Sequence, residues 1–194
     1  MRSSIKTEFT EFFRNPKNFL SRLVILWLHP YKFPSKDILR VYPYDPESEI
    51  RARELMKKIM TLCPKLDIHL IGSIGLQIEG RGDIDLYAVT PFSEFVKTTQ
   101  KIASVFGKPI KTGKTFGEWK FEFKGYPAEL HVADPKDKDY YDQILLFNLL
   151  KNNHEYLNEY RNLKNKLNNR PMREYASKRM VLFNKVLLAA NHRK

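Results

Sequence analysis

Cysteine is nearly missing from this chain. Cys63 is the one thiol in 194 residues, so no intramolecular disulfide can form and the fold has to rest on its hydrophobic core. Such usage suits a reducing compartment, and a cytoplasmic location is expected. Long apolar runs are missing too. The longest, Leu23–Leu28 (LVILWL), falls far short of the ~20 residues a membrane span needs. It also lies too deep in the chain, behind too much charge, to read as a secretory signal, so no membrane partner is expected. Neither repeats nor long polar tracts interrupt the sequence, and 42% hydrophobic with 29% charged residues is globular composition. One packed core with a helical appendage is the expectation at this length.

Acidic residues are scarce at the two ends. Residues 1–40 hold eight Lys/Arg against three Asp/Glu, and residues 151–194 hold eleven against three. Between them, residues 41–150 are nearly neutral, with fifteen against sixteen. Basic flanks around a neutral centre suit a polyanionic ligand gripped from both sides. Solvated helix faces give the same pattern.

The order of apolar residues predicts a sheet followed by helices. Phe19 to Leu28 reads as a short helix ended by His29-Pro30. Glu47 to Leu62 reads as a helix with Ile50, Leu55, Ile59 and Leu62 on its buried stripe. "DIHLIG" and "GDIDLYAV" alternate as strands joined by a glycine-containing turn. Residues 92–106 form a second helix, with Phe92, Phe95, Val96, Ile102 and Phe106 broadly on one side. A β-hairpin follows: Trp119, Phe121 and Phe123 precede the Lys124-Gly125 turn, and Glu129-Leu130-His131-Val132 follow it. Beyond Lys138 three helices are expected, Tyr140–Asn152, Glu155–Asn168 and Pro171–Ala190. The fold class is α+β, with a C-terminal helical segment.

The chemistry concentrates in "HLIGSIGLQIEGRGDIDLYAV", residues 69–89. Successive side chains of a strand alternate between faces, so Asp83 and Asp85 share one face while Ile84 and Leu86 enter the core. Two carboxylates held close together repel unless a cation lies between them, and Mg²⁺ takes carboxylate oxygens while keeping positions for water and phosphate. A partly exposed strand with two surface acids has the same pattern. Gly72 and Ser73 precede the pair: glycine permits close backbone approach, and the neighbouring amides and the Ser hydroxyl can donate to phosphate. Glu129 supplies a third acid on a later strand, with His131 on the same face. Lys164, Arg173, Lys178 and Arg179 are basic candidates for phosphate contact, with Tyr175 and Lys178 expected on one helix face. His69 reads as structural, and the aromatics of the hairpin as core.

This stretch resembles the signature of the DNA polymerase β-like nucleotidyltransferase superfamily, a Gly-Ser followed by Asp-x-Asp, and the nine residues Ile74–Gly82 fit the usual gap. Within it the chain resembles the GrpB family, through "VYPYDPESEIRARELMKKI", "HLIGS", Leu130-His131-Val132 and the tail from "LLFNLLKNNHEYLNEY" to "EYASKRMVLFNKVL". The likeness covers roughly residues 41–190 and leaves 1–40 outside. GrpB proteins often carry "KPIIDI" and "GSTAVPG", where this chain has "RGDIDL" and "GSIGLQIEG", which lie nearer the active nucleotidyltransferases.

The resemblance implies a nucleotidyltransferase-like mixed β-sheet flanked by helices, with a basic extension (1–40), a core (41–137) and a helical segment packed on it (138–194). It implies transfer of an NMP from an NTP, ATP foremost, to a hydroxyl acceptor on RNA, a small molecule or a protein. Two Mg²⁺ ions would sit on Asp83, Asp85 and Glu129, and Gly72, Ser73, Lys164, Arg173 and Lys178 would hold the nucleotide. The alternative is a catalytically silent nucleotide- or RNA-binding module on the same fold.

Overall fold

The computed structural model describes residues 36–191, so the helix expected over 19–28 and most of the basic extension lie outside the described residues. The first helix, α1 (Pro46–Leu62), begins where Asp45 accepts a hydrogen bond from the Glu47 amide at 3.0 Å and Pro46 opens the first turn. Its buried stripe is Ser48, Ala52, Leu55 and Ile59, while Ile50 is 51% exposed. The sequence reading misplaced Ile50 because the true stripe opens with a small polar residue and an alanine. Ser48 and Ala52 let the helix lie close to its neighbours.

Five strands form one mixed sheet in the order β1-β2-β5-β4-β3. These are β1 (Asp67–Ile71), β2 (Ile84–Val89), β3 (Lys111–Thr112), β4 (Phe116–Phe123) and β5 (Tyr126–Ala133). β2 pairs antiparallel with β1 and parallel with β5; β4 pairs antiparallel with β5 and β3. The β4–β5 hairpin turns on Lys124 and Gly125, at φ 52° and 85°, the pair of positive dihedrals that a tight two-residue turn demands. One face, carrying Ile84, Leu86, Ala88, Leu130, Val132 and Trp119, packs under α1 and α3 (Phe92–Phe106). On α3 the buried residues are Phe95, Thr98 and Ile102, whereas Phe92 and Val96, expected on that side, are each 64% exposed.

The other face carries Asp85, Tyr87, Glu129 and His131, toward the helical segment. That segment is α4 (Lys138–Asn152), α5 (His154–Lys166) and α6 (Met172–Asn191). Leu146, Tyr160, Tyr175, Leu182 and Val186 form its own core together with Ile78 and Leu39, the last 1% exposed. Residues 37–42 strap the two parts: the Leu39 amide donates to the Arg170 carbonyl at 2.9 Å, and the Tyr42 amide to the Gly80 carbonyl at 2.7 Å. The α+β class, mixed sheet first and helices second, is the architecture that the sequence predicts.

Between β1 and β2 the sequence reading expects a turn, but a single helical turn, α2 (Gly72–Gly75), opens the connection, and Asp83 stands just before β2. Gly72 has φ +67°, and a Cβ there would collide with the Asp85 carboxylate. Gly125, at φ +85°, faces open space. Gly125→Ala should therefore cost only left-handed strain, about 1–2 kcal/mol. Gly72→Ala should cost at least about 1 kcal/mol more in urea denaturation, because carboxylate and backbone must also separate. Equal losses would mean that this close approach is not felt.

Candidate active site

Strand pairing assembles the acids. Ile71 at the end of β1 lies opposite Asp85, and Asp85 lies opposite Glu129 across the parallel β2–β5 pair. The chain leaves β1 through Gly72 directly against the Asp85 carboxylate, so Gly72, Ser73, Asp85 and Glu129 meet at one sheet end. Asp83, buried, joins them from the residue preceding β2. A cleft of about 270 Å³ opens here, bordered by Arg81, Asp83, Lys120, Phe121 and Glu129 among others.

The helical segment reaches the same place through Lys164, 3% exposed. Its Nζ donates to Ser73 Oγ and, at 2.9 Å, to the Glu79 carbonyl. Gly80 packs against Ser73 with no room for a Cβ, which keeps this corner closed. Arg173 is half-buried in the first turn of α6. Lys178 is exposed and held by Glu174 at 2.7 Å, so it does not face the cleft. Tyr175 is buried, and the residue sharing its face is not Lys178, three positions on, but Arg179, four on, whose guanidinium lies 5.3 Å from the Tyr175 ring.

Two further residues belong to the site's electrostatics: Arg81, which the sequence reading did not single out, and Arg179, which it named among the basic candidates for phosphate contact. Arg81 forms an ion pair with Asp83; burial opposes its charge, but Asp83, Asp85 and Glu129 outweigh that and hold the guanidinium above its ordinary value. Arg179 acts on Asp85 through space. Arg81 had no distinguishing local signal beyond "GRGD", an arginine between two glycines.

The carboxylates are not equivalent. Burial, reinforced by the negative charge of Asp83, pushes the Asp85 carboxyl far above the usual carboxylate range. Burial would raise Glu129 as well, but hydrogen bonding to His131 and Lys120 takes it down to about 2. Lys120 Nζ lies 2.5 Å from Glu129. His131 stacks on Tyr87 with ring centroids 4.8 Å apart. It also groups with Glu118 and Glu129, whose ligand atoms lie within 4.8 Å of one another. His69, at 3.2 Å from Asp67, lies on β1.

These donors fit a hard divalent cation. Asp83 and Glu129 border the cleft and Asp85 lies opposite Glu129 beneath it, a buried carboxylate whose charged form Arg81 and Arg179 compensate only in part. Among the described residues, however, the ligand atoms within 4.8 Å of one another are those of Glu118, Glu129 and His131 and not of the expected three acids. Arg81 supplies part of the positive charge that such an ion would bring.

The fold and site together define an α+β protein with a carboxylate-lined cleft beside a Gly-Ser corner. Residues 38–188 match the family described as GrpB protein, and the chain belongs to that family. No curated protein matches it. Among solved structures, the Cid1 poly(U) polymerase with MgGTP bound aligns at TM-score 0.40 and 9% identity, over 70% of this chain and 46% of that one. The STING-associated CdnE c-di-GMP synthase from Capnocytophaga granulosa aligns at TM-score 0.36 and 19% identity, over 69% and 46%. The chain spans less than half the length of either.

The raised Asp85 predicts how stability varies with pH. Between about pH 4 and neutrality the unfolded aspartate has lost its proton while the folded one retains it, so folding binds protons and stability falls as pH rises. Urea denaturation of metal-free protein at pH 5 and pH 7.5 should show this fall. Asp85→Asn should flatten it, and an unchanged slope in that variant would place the proton elsewhere.

Proposed function

We propose that this protein is a metal-dependent nucleotidyltransferase that moves an NMP from an NTP to a hydroxyl acceptor. The observation that carries the reading is the juxtaposition at one sheet end: Asp85 fills the space beside Gly72, Glu129 stands opposite it, and Ser73 is tied to a buried lysine. Asp83, Asp85 and Glu129 would hold Mg²⁺, two ions in the fullest form of the proposal. The metal, when bound, supplies positive charge to the reacting phosphate and to the incoming oxygen.

The chain's own residues bind and orient. Ser73 and the α2 backbone would take phosphate oxygens, Lys164 would hold the triphosphate, and Arg173 would stand at its outer reach, whereas Lys178, expected there from the sequence, is turned to Glu174 instead. Glu129, held near 2, suits a ligand better than a base. The acceptor oxygen would form its bond to the α-phosphorus as the bond to pyrophosphate breaks, with the hydroxyl proton leaving to a cleft carboxylate or to water. No helix of the described residues is long and apolar enough to cross a membrane.

Incubation with each labelled NTP, Mg²⁺ and pools of RNA or small metabolites tests the reading. Asp83→Asn and Asp85→Asn should each lower product yield at least ~100-fold, the scale expected for removing a group that stabilises transition-state charge. Unchanged yield would overturn it. Salt-sensitive RNA retention that ignores both substitutions would instead identify the silent binding module.

A further inference from the structure

A second cleft, of about 460 Å³, lies apart from the carboxylates. Residues 41–44, the connection from α2 to β2, and α5 line it, and it shares no lining residue with the cleft of Asp83 and Glu129. Its size falls among the ~300–1,000 Å³ clefts that take small organic groups. Glu79 belongs to its lining, and the Glu79 carbonyl accepts from the same Lys164 ammonium that reaches Ser73, so the cleft borders the Gly-Ser corner. Tyr42, also in the lining, is 55% exposed, while its backbone is clamped to Gly80 by bonds of 2.7 and 2.9 Å.

The polar groups of this cleft have fixed directions. Glu79 accepts from Arg161 Nε at 3.0 Å and from Asn165 Nδ2 at 2.8 Å, and Glu49 on α1 accepts from Gln77 Nε2 at 2.9 Å. Bonds from Tyr44, Gln77 and Arg53 take Glu49 down to about 2, so it is ionised. An ionised carboxylate only accepts, so both amide nitrogens are committed and both amides keep their oxygens to offer. Among the described residues no hydrogen bond reaches those oxygens or the terminal nitrogens of Arg161. Gln77 is held in place at φ 55°, a left-handed conformation unfavourable for a residue with a long side chain.

These groups select a ligand. Arg161 and Glu79 cancel, so a phosphate inside the cleft would meet a carboxylate at least as closely as a cation. Amide oxygens require a donor, a guanidinium edge requires an acceptor, and an exposed phenol ring takes a flat partner. An exocyclic amine beside a ring nitrogen, on a planar heterocycle, supplies all three. Adenine and cytosine carry that pair on the edge used for base pairing, whereas uracil has no amine. The sugar-phosphate chain of such a base would remain at the rim beside the exposed Arg40, and the excess of eleven Lys/Arg over three Asp/Glu in residues 151–194 favours a polyanion there.

We propose that this cleft holds an unstacked adenine or cytosine base of single-stranded RNA, stacked on Tyr42 and read by Gln77, Asn165 and Arg161. As a base site it requires neither metal nor turnover. That the bound strand is the acceptor of the transfer rests on the nucleotidyltransferase reading.

Anisotropy titration of labelled rA, rC and rU decamers in EDTA at fixed salt, with thermal melting of each variant, tests it. Wild type should bind rA and rC at least ~10-fold tighter than rU. Tyr42→Ala should weaken rA and rC binding at least ~5-fold, the low end of what releasing one stacked base costs, and should melt as wild type does because the side chain is mostly exposed. Tyr42→Phe should bind like wild type. Gln77→Met and Asn165→Leu should each narrow the preference over rU. Lys185→Gln, on α6 and paired with Glu159, should keep it. Equal wild-type affinity for the three decamers would overturn the proposal, as would wild-type binding by both Tyr42→Ala and Asn165→Leu. AMP competing as tightly as an unlabelled rA decamer would overturn the assignment to a strand. Base-selective binding lost in Tyr42→Ala, without nucleotidyl product under any condition, would leave the cleft standing and remove the transfer reading. Labelled product from a wild type that binds no decamer would leave the transfer reading and overturn the cleft.

Discussion

Everything at this site depends on the parallel pairing of β2 with β5. A parallel pair cannot be made by a hairpin, so the chain must leave β2, build α3, β3 and β4, and return before Glu129 can meet Asp85. The same central strand pairs with β1 on its other side, which delivers Gly72 against the Asp85 carboxylate. One strand thus sets a carboxylate, its acidic partner and the Gly-Ser corner in a single register. A slip of one residue would send Asp85 into the apolar face now occupied by Ile84 and Leu86.

The second constraint is electrostatic. The sheet face presents acids, the helical segment presents cations, and the two sets are only partly matched. Arg81 and Lys120 neutralise Asp83 and Glu129. Asp85 on one side, and Lys164 and Arg179 on the other, remain poorly compensated and shift their protonation or lie against aromatic rings instead. Incomplete compensation of this kind weakens the ligand-free protein and is characteristic of sites that bind charged ligands. A cation with the triphosphate of an NTP would complete both halves at once, which ties the metal and the nucleotide of the proposed function to the same physical cause.

Much of the frame was legible in the sequence because it follows local rules. Alternation located the strands carrying Ile84, Leu86, Leu130 and Val132, and the Lys124-Gly125 turn fixed the hairpin. Asp83, Asp85 and Glu129 could be singled out because strand periodicity alone puts Asp83 and Asp85 on a common face. What escaped was set by packing. Ile50 fits a helical period yet faces solvent, since Ser48 and Ala52 permit a closer approach than a bulky side chain would. Arg179 could be preferred to Lys178 only by knowing which face of α6 carries the buried Tyr175. Leu39 enters the helical core through backbone bonds to residues 169–170, a pairing that no local pattern announces.

The most direct test of the account is a crystal structure of the protein with Mg²⁺ and a non-hydrolysable NTP. Metal density is expected between Asp83, Asp85 and Glu129, with Arg81 displaced from Asp83 and the triphosphate reaching Ser73 and Lys164. Nucleotide bound away from the Gly72-Ser73 corner, or metal held by residues other than these carboxylates, would contradict it.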